Sequence, residues 1–150
     1  MAPQLRRGRR LGIDYGDVRV GIAISDIEAI LVSPLITLKN DADLLTNIEQ
    51  IILENEPIYI AIGSPVHLSG KSGSKSLVVQ EFASKLKNLL ATDIFLIDER
   101  LTTMSAQNQL REVGKSSRDG KAIIDQIAAI NILNQALRLE ASEAGLGSPL

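Results

Sequence analysis

The stretch Arg10-Leu11-Gly12-Ile13-Asp14-Tyr15-Gly16-Asp17-Val18-Arg19-Val20-Gly21-Ile22-Ala23-Ile24-Ser25 decides the fold. Arg10 to Asp14 is an apolar run with the look of a buried strand. From Val18 to Ser25 the larger apolar residues Val18, Val20, Ile22 and Ile24 alternate with others, the period of a second strand. Gly16-Asp17 between them is a hairpin signal. The chain therefore opens with two antiparallel strands. An aspartate, Asp14, lies inside the first of them, next to the turn.

Outward from this hairpin, Ile30 to Lys39 reads as a third strand, with Pro34 pointing to an edge position or a kink. Helical period follows. Asp41 is placed to cap a helix whose apolar residues Leu44, Leu45, Ile48, Ile51 and Ile52 form one stripe, and Pro57 closes it. Ile58 to Ile62 is short, β-branched and continuous, as a parallel strand buried on both faces should be. A Gly/Ser/Lys loop from Gly63 to Lys75 leads to a second helix with Val79, Phe82, Leu86 and Leu89 on its apolar side. Ile94 to Ile97 is another buried strand. A long helix runs from about Asp119 to Glu140, and the tail after Ala141 is expected to fray. The order β-β-β-α-β-α-β-α makes an α/β protein: an antiparallel meander, then βα units, in one mixed five-stranded sheet with helices on both faces.

Composition narrows the function. A chain of 150 residues with 45% hydrophobic content builds one domain with a real core. With no cysteine, zinc ribbons, thiol nucleophiles and iron–sulfur clusters are excluded. High aliphatic content at a net charge of −2 excludes disorder of the whole chain. Arg6, Arg7, Arg9 and Arg10 resemble the start of a signal peptide, but Asp14 and Asp17 break the apolar stretch that should follow. The longest apolar run, Ile58 to Ile62, is too short to span a bilayer, so no membrane partner and a cytoplasmic location are expected. The net charge conceals a split. Residues 22–56 hold seven acids and one base, while the remainder carries an excess of four positive charges. The average is therefore poor evidence against a nucleic-acid partner.

Acids stand out by placement at three points of the chain. Asp14 sits in the first strand, Asp98 and Glu99 end the last, and Asp125 lies in the final helix. Asp125, Ala128, Ala129 and Ile132 share one helical face, the mark of a helix packed close to a sheet with its carboxylate aimed at the sheet's end. A single acid at a strand end is usually a turn or cap residue. A cluster of them is costly to bury without a cation, and oxygen ligands without His or Cys favour Mg²⁺ or Mn²⁺. Such ions activate water and stabilise the leaving oxygen in phosphodiester cleavage.

Two small basic loops suit a phosphate backbone or a plain solvated connection. One contains Gly70-Lys71-Ser72-Gly73, and the other runs from Gly114 through Lys115 and Arg118 to Lys121. The first is no P-loop, because Pro65 occupies the position that pattern reserves for glycine. Arg19 leads the second strand, placed to support the acids or to contact phosphate. His67, the only histidine, has no partner His or Cys and reads as an incidental polar residue. Thr102 and Thr103 read most simply as an N-cap for a short helix.

Taken together these segments resemble the YqgF/RuvX family of pre-16S rRNA nucleases, earlier described as Holliday junction resolvases. The resemblance rests on Gly12-Ile13-Asp14-Tyr15-Gly16 with Arg19, Gly21 and Ala23, then Ser25-Asp26. It continues in Gly63-Ser64-Pro65 with Gly70 and Gly73, in Asp98-Glu99-Arg100-Leu101-Thr102-Thr103, and in Lys121, Asp125, Ala128-Ala129 and Ile132-Leu133. It implies a ribonuclease-H-like nuclease domain at residues 10–140, between a basic N-terminal extension (1–9) and a flexible tail (141–150). It further implies a catalytic set of Asp14, Glu99, Asp98 and Asp125, with metal on Asp14, Glu99 and Asp125. Alternation along a strand makes only one of Asp98 and Glu99 a direct ligand, and the longer arm of Glu99 favours it. Arg19, Lys71, Arg100, Lys115, Arg118 and Lys121 are the candidates for holding nucleic-acid backbone. The implied partner is precursor ribosomal RNA, bound by a monomer or homodimer. The alternatives are a DNA junction, or a non-catalytic nucleic-acid-binding role.

Overall fold

A computed structural model describes residues 6–65, 74–98 and 118–150, the side chains of 74 and of 118–122 excepted. The elements are β1 (Arg10–Tyr15), β2 (Arg19–Ser25), β3 (Val32–Lys39), α1 (Leu44–Asn55), β4 (Tyr59–Ser64), α2 (Ser74–Leu89), β5 (Asp93–Asp98) and α3 (Arg118–Ala141). The five strands form one mixed sheet in the order β3-β2-β1-β4-β5. β1, β2 and β3 pair antiparallel, while β4 pairs parallel with both β1 and β5. The meander followed by βα units is the architecture expected from the sequence.

The hairpin turns on Asp17 and Val18, closed by the Gly16 amide donating to the Arg19 carbonyl at 3.0 Å. Asn40 braces it from the far end of β3, its amide donating to Val18 O at 2.9 Å and its Nδ2 to Gly16 O at 2.7 Å. Pro34 lies on the edge strand, beside a register shift between Ile22 and Ala23 that marks a bulge. Edge position and irregularity are where a strand tolerates proline.

Two helix assignments need correction in detail. Asp41 does not cap α1. Asp43 holds the N-cap position without a side-chain bond, while Asp41 Oδ1 accepts the Asp43 amide at 2.9 Å in a local turn before the helix. Leu89 is 51% exposed, because the buried stripe Val79, Phe82, Ala83, Leu86 continues through Leu90, four residues after Leu86. The other end of α1 is as expected: Glu56 adopts a left-handed conformation (φ 48°), its amide reaching Ile52 O at 2.8 Å, and Pro57 follows.

Alternation along the strands divides the core in two. Leu11, Ile13, Val20, Ile22, Ile60, Ile62 and Ile94 pack with α1 and α2. Ala23, Tyr59, Ala61, Phe95 and Ile97 pack with Ala129, Ile132, Leu133 and Ala136 of α3. Where β1 and β2 carry Gly12, Gly21 and Ala23, α3 lies almost on the sheet. A Cβ added at Gly12 would sit 2.7 Å from the Ala129 carbonyl oxygen and 2.8 Å from Leu133 Cβ. The acids Glu49 and Glu54 lie on α1, with Asp41, Asp43 and Glu56 flanking it, across the sheet from α3.

The far end of α3 is fixed to the start of β1. Arg10, fully buried, donates from Nε to Glu140 Oε1 at 3.2 Å and from Nη2 to Oε2 at 2.8 Å. The Tyr59 hydroxyl donates to the same Oε1 at 2.8 Å, and burial first, then that acceptor, raises its pKa well above the usual phenol value. The remaining Arg10 donors reach Gly8 O and Arg6 O, which ties down the N-terminal segment. At the other terminus, Leu146 packs against the α3-side core and the Leu150 amide donates to Ile94 O at 2.8 Å.

Candidate active site

The parallel strands β1, β4 and β5 all end at the same edge of the sheet, and ligands of α/β sheets gather beyond such carboxyl ends. Asp14 is the penultimate residue of β1. Leu11 and Ile13 face α1 and α2, so alternation turns Asp14 to the α3 face. Its cross-strand partner is Gly21, and directly opposed residues share a face with Cβ positions about 5 Å apart. Gly21 has no side chain there because α3 fills the place. A Cβ on Gly21 would collide with the Asp125 carbonyl oxygen and lie 3.1 Å from Asp125 Cβ. A missing side chain is thus what brings the Asp125 carboxylate over the strand that carries Asp14.

Arg19, at the start of β2, completes the group. Its Nε donates to Asp125 Oδ2 at 2.7 Å, with the Arg19 side chain 34% and the Asp125 side chain 17% exposed. The structure therefore brings together Asp14, Arg19 and Asp125, three of the residues singled out from the sequence.

Asp98 is placed differently. It pairs with Ser64 at the end of β5, following Ile97. Phe95 and Ile97 belong to the α3 side and Ile94 to the other, so the register gives Asp98 to the face of α1 and α2, away from Asp14 and Asp125. Glu99, Arg100, Lys71 and Lys115 lie outside the described residues, as do His67, Thr102 and Thr103. Arg118 and Lys121 fall in the opening turns of α3, with Lys121 one helical turn before Asp125.

Sequence reading missed the structural role of Gly21, which enters there only among the residues that carry the family resemblance. A glycine directly opposite an acid in a hairpin is the signal that was available. It also missed a cavity of about 210 Å³ across the sheet from Asp14, lined by Tyr15, Asn40, Asp41, Leu45, Phe82 and Lys85 among others. Tyr15 stacks there on Phe82 with ring centroids 4.3 Å apart.

The donor chemistry fits a hard divalent cation. Asp14 and Asp125 supply carboxylate oxygens on one face, with no sulfur or imidazole beside them among the described residues. Among the described residues no group of three or more His, Cys, Asp or Glu stands close enough to hold a metal ion. Any third carboxylate must therefore come from outside them.

Comparison with known proteins bears on this arrangement. Residues 8–139 match the RuvX family, described as Holliday junction resolvase. The chain belongs to the RuvX family. A relative from Streptomyces coelicolor, named "Putative pre-16S rRNA nuclease", is 39% identical over 141 residues, covering 92% of this chain and 84% of the relative. A second of that name, from Streptomyces avermitilis, is 40% identical over 139 residues, covering 91% and 89%. A solved structure of T. thermophilus RuvC in complex with Holliday junction substrate superimposes with a TM-score of 0.58 at 12% identity, covering 95% of this chain and 99% of that one. A likeness at that identity speaks for the shared ribonuclease-H-like fold. RuvX membership and the named relatives support a phosphodiester-hydrolysing nuclease.

Proposed function

We propose that this RuvX-family chain cleaves the phosphodiester backbone of precursor 16S ribosomal RNA, using Mg²⁺ or Mn²⁺ held by Asp14, Asp125 and Glu99. The observation that carries the reading is the convergence of Asp14 and Asp125 across the bare Cα of Gly21. When bound, the cation supplies an activated water and charge stabilisation at the leaving oxygen. Asp14 and Asp125 contribute the hard oxygen donors, from a strand and from a helix pressed against it, so both are held before substrate arrives. Arg19, Lys71, Arg100, Lys115, Arg118 and Lys121 hold backbone phosphates, and Asp98 plays a smaller part than Glu99. The catalytic unit is residues 10–140, acting in the cytoplasm. Among the described residues, no helix is long and apolar enough to cross a membrane.

RNA is favoured as substrate because relatives near 40% identity are named for pre-16S rRNA. The family description favours a second reading, in which the same centre resolves DNA junctions. That activity needs two centres facing opposite strands, hence a symmetric dimer, whereas a monomer suffices for RNA. The test is purified protein with labelled precursor rRNA and with a four-way DNA junction, each with and without Mg²⁺ or Mn²⁺. The proposal expects metal-dependent cleavage of the RNA. Metal-dependent cleavage of the junction alone, by a dimer, would establish the second reading.

A further inference from the structure

Two of the arginine–carboxylate pairs among the described residues, Arg10–Glu140 and Arg19–Asp125, are built differently. Arg10 is enclosed: its guanidinium meets both oxygens of Glu140 and two backbone carbonyls, and the side chain is fully buried. Such a pair is structural, with four of its five N–H donors engaged and none facing solvent. Arg19 meets a single oxygen of Asp125 through Nε, and its side chain is one-third exposed at the end of the sheet where Asp14 lies. Among the described residues its Nη groups donate in no hydrogen bond to Asp125, and a planar guanidinium fork matches a phosphate through such groups.

We propose that Arg19 couples substrate binding to metal binding, a role that rests on the reading of Asp14 and Asp125 as metal ligands. Its positive charge, 2.7 Å from Asp125 Oδ2, opposes a divalent cation at the same carboxylate. A backbone phosphate that takes up the Nη groups offsets this charge and lowers the opposition. Metal therefore binds weakly to the free protein and more tightly once a phosphate chain lies against Arg19. By linkage, nucleic acid binds more tightly when metal is present, by the same factor. Arg19 is in this sense a positioning residue for Asp125 and a sensor of the substrate backbone.

The test is calorimetric titration of Mn²⁺ into the full chain, with and without a short nuclease-resistant phosphorothioate RNA. The proteins compared are wild type, Arg19→Gln and Arg19→Lys, with thermal unfolding as a check on folding. In the wild type the RNA raises Mn²⁺ affinity by about tenfold, within the usual range for coupled sites. Arg19→Gln binds Mn²⁺ more tightly than wild type without RNA and gains little when RNA is added. Arg19→Lys, which keeps the charge, retains a measurable part of the gain. If Arg19→Gln binds Mn²⁺ no more tightly than wild type, or shows the full gain with RNA, this inference is overturned while the metal site stands. If wild type binds no Mn²⁺ at all, the metal reading itself falls and takes this inference with it.

Discussion

The Cβ of Asp125 lies 3.1 Å from where a side chain on Gly21 would begin, and Gly21 is the cross-strand partner of Asp14. Helix α3 thus rests on β2 at the one position where the strand has nothing to offer but backbone. Gly21→Ala forces α3 off the sheet. Overpacking of this kind costs about 1–3 kcal/mol, occasionally more, and here the neighbour is backbone that cannot rotate away. Chemical denaturation should show that loss, and cleavage should fall further than stability, because the displaced residue is Asp125 itself.

Asp14→Asn and Asp125→Asn should reduce cleavage to background with unfolding temperatures near that of the wild type, since neither substitution changes volume. Asp98→Asn provides the contrast. Its register position belongs to the other sheet face, so it should keep most activity, whereas Glu99→Gln should not. Single-turnover cleavage of labelled precursor rRNA measures all four. Equal loss in Asp98→Asn and Glu99→Gln would contradict the assignment of faces.

The buried pair at the other end of α3 should matter for stability. Removing one partner of such a pair leaves a charge stranded, at a cost of about 3–5 kcal/mol. Glu140→Ala strands the fully buried Arg10 and deprives the Tyr59 hydroxyl of its acceptor. Equilibrium unfolding of that variant should show a loss in this range.

Tyr59 adds a pH dependence. Burial and the Glu140 carboxylate hold its hydroxyl protonated well beyond the ordinary phenol range. A group whose pKa is raised on folding stabilises the native state fully below its unfolded pKa and loses that contribution as pH rises through the folded one. Stability should therefore fall as pH climbs above about 10, the unperturbed tyrosine value. Tyr59→Phe should be less stable at neutral pH but lose less on the alkaline side. Parallel alkaline slopes for the two proteins would refute this origin.

Much of this was legible in the sequence, and what was not has physical reasons. Strand alternation in Val20, Ile22 and Ile24, and the continuous run Ile58 to Ile62, announced the sheet because burial on one or both faces leaves a periodic trace. Asp14 and Asp125 could be singled out as acids set among small and apolar neighbours. Nothing local in the sequence says which acids share a face once the strands are paired. That depends on register, which is why Asp98 stood among the candidate acids until β5 was laid against β4. The Arg10–Glu140 pair joins residues 130 positions apart, and a basic stretch followed by a helix end gives no sign of such a contact. Gly21 looked like any glycine in a hairpin because its meaning lies in what packs on it.

The central claim is that Asp14 and Asp125 form one cation-dependent centre for cleaving RNA. It is tested most directly by cleavage of labelled precursor 16S rRNA in Mn²⁺, in EDTA, and in Mn²⁺ with Asp14→Asn. The account predicts specific products from the wild type in Mn²⁺ and none in the other two reactions. Cleavage that persists in EDTA, or at full rate in Asp14→Asn, would contradict it.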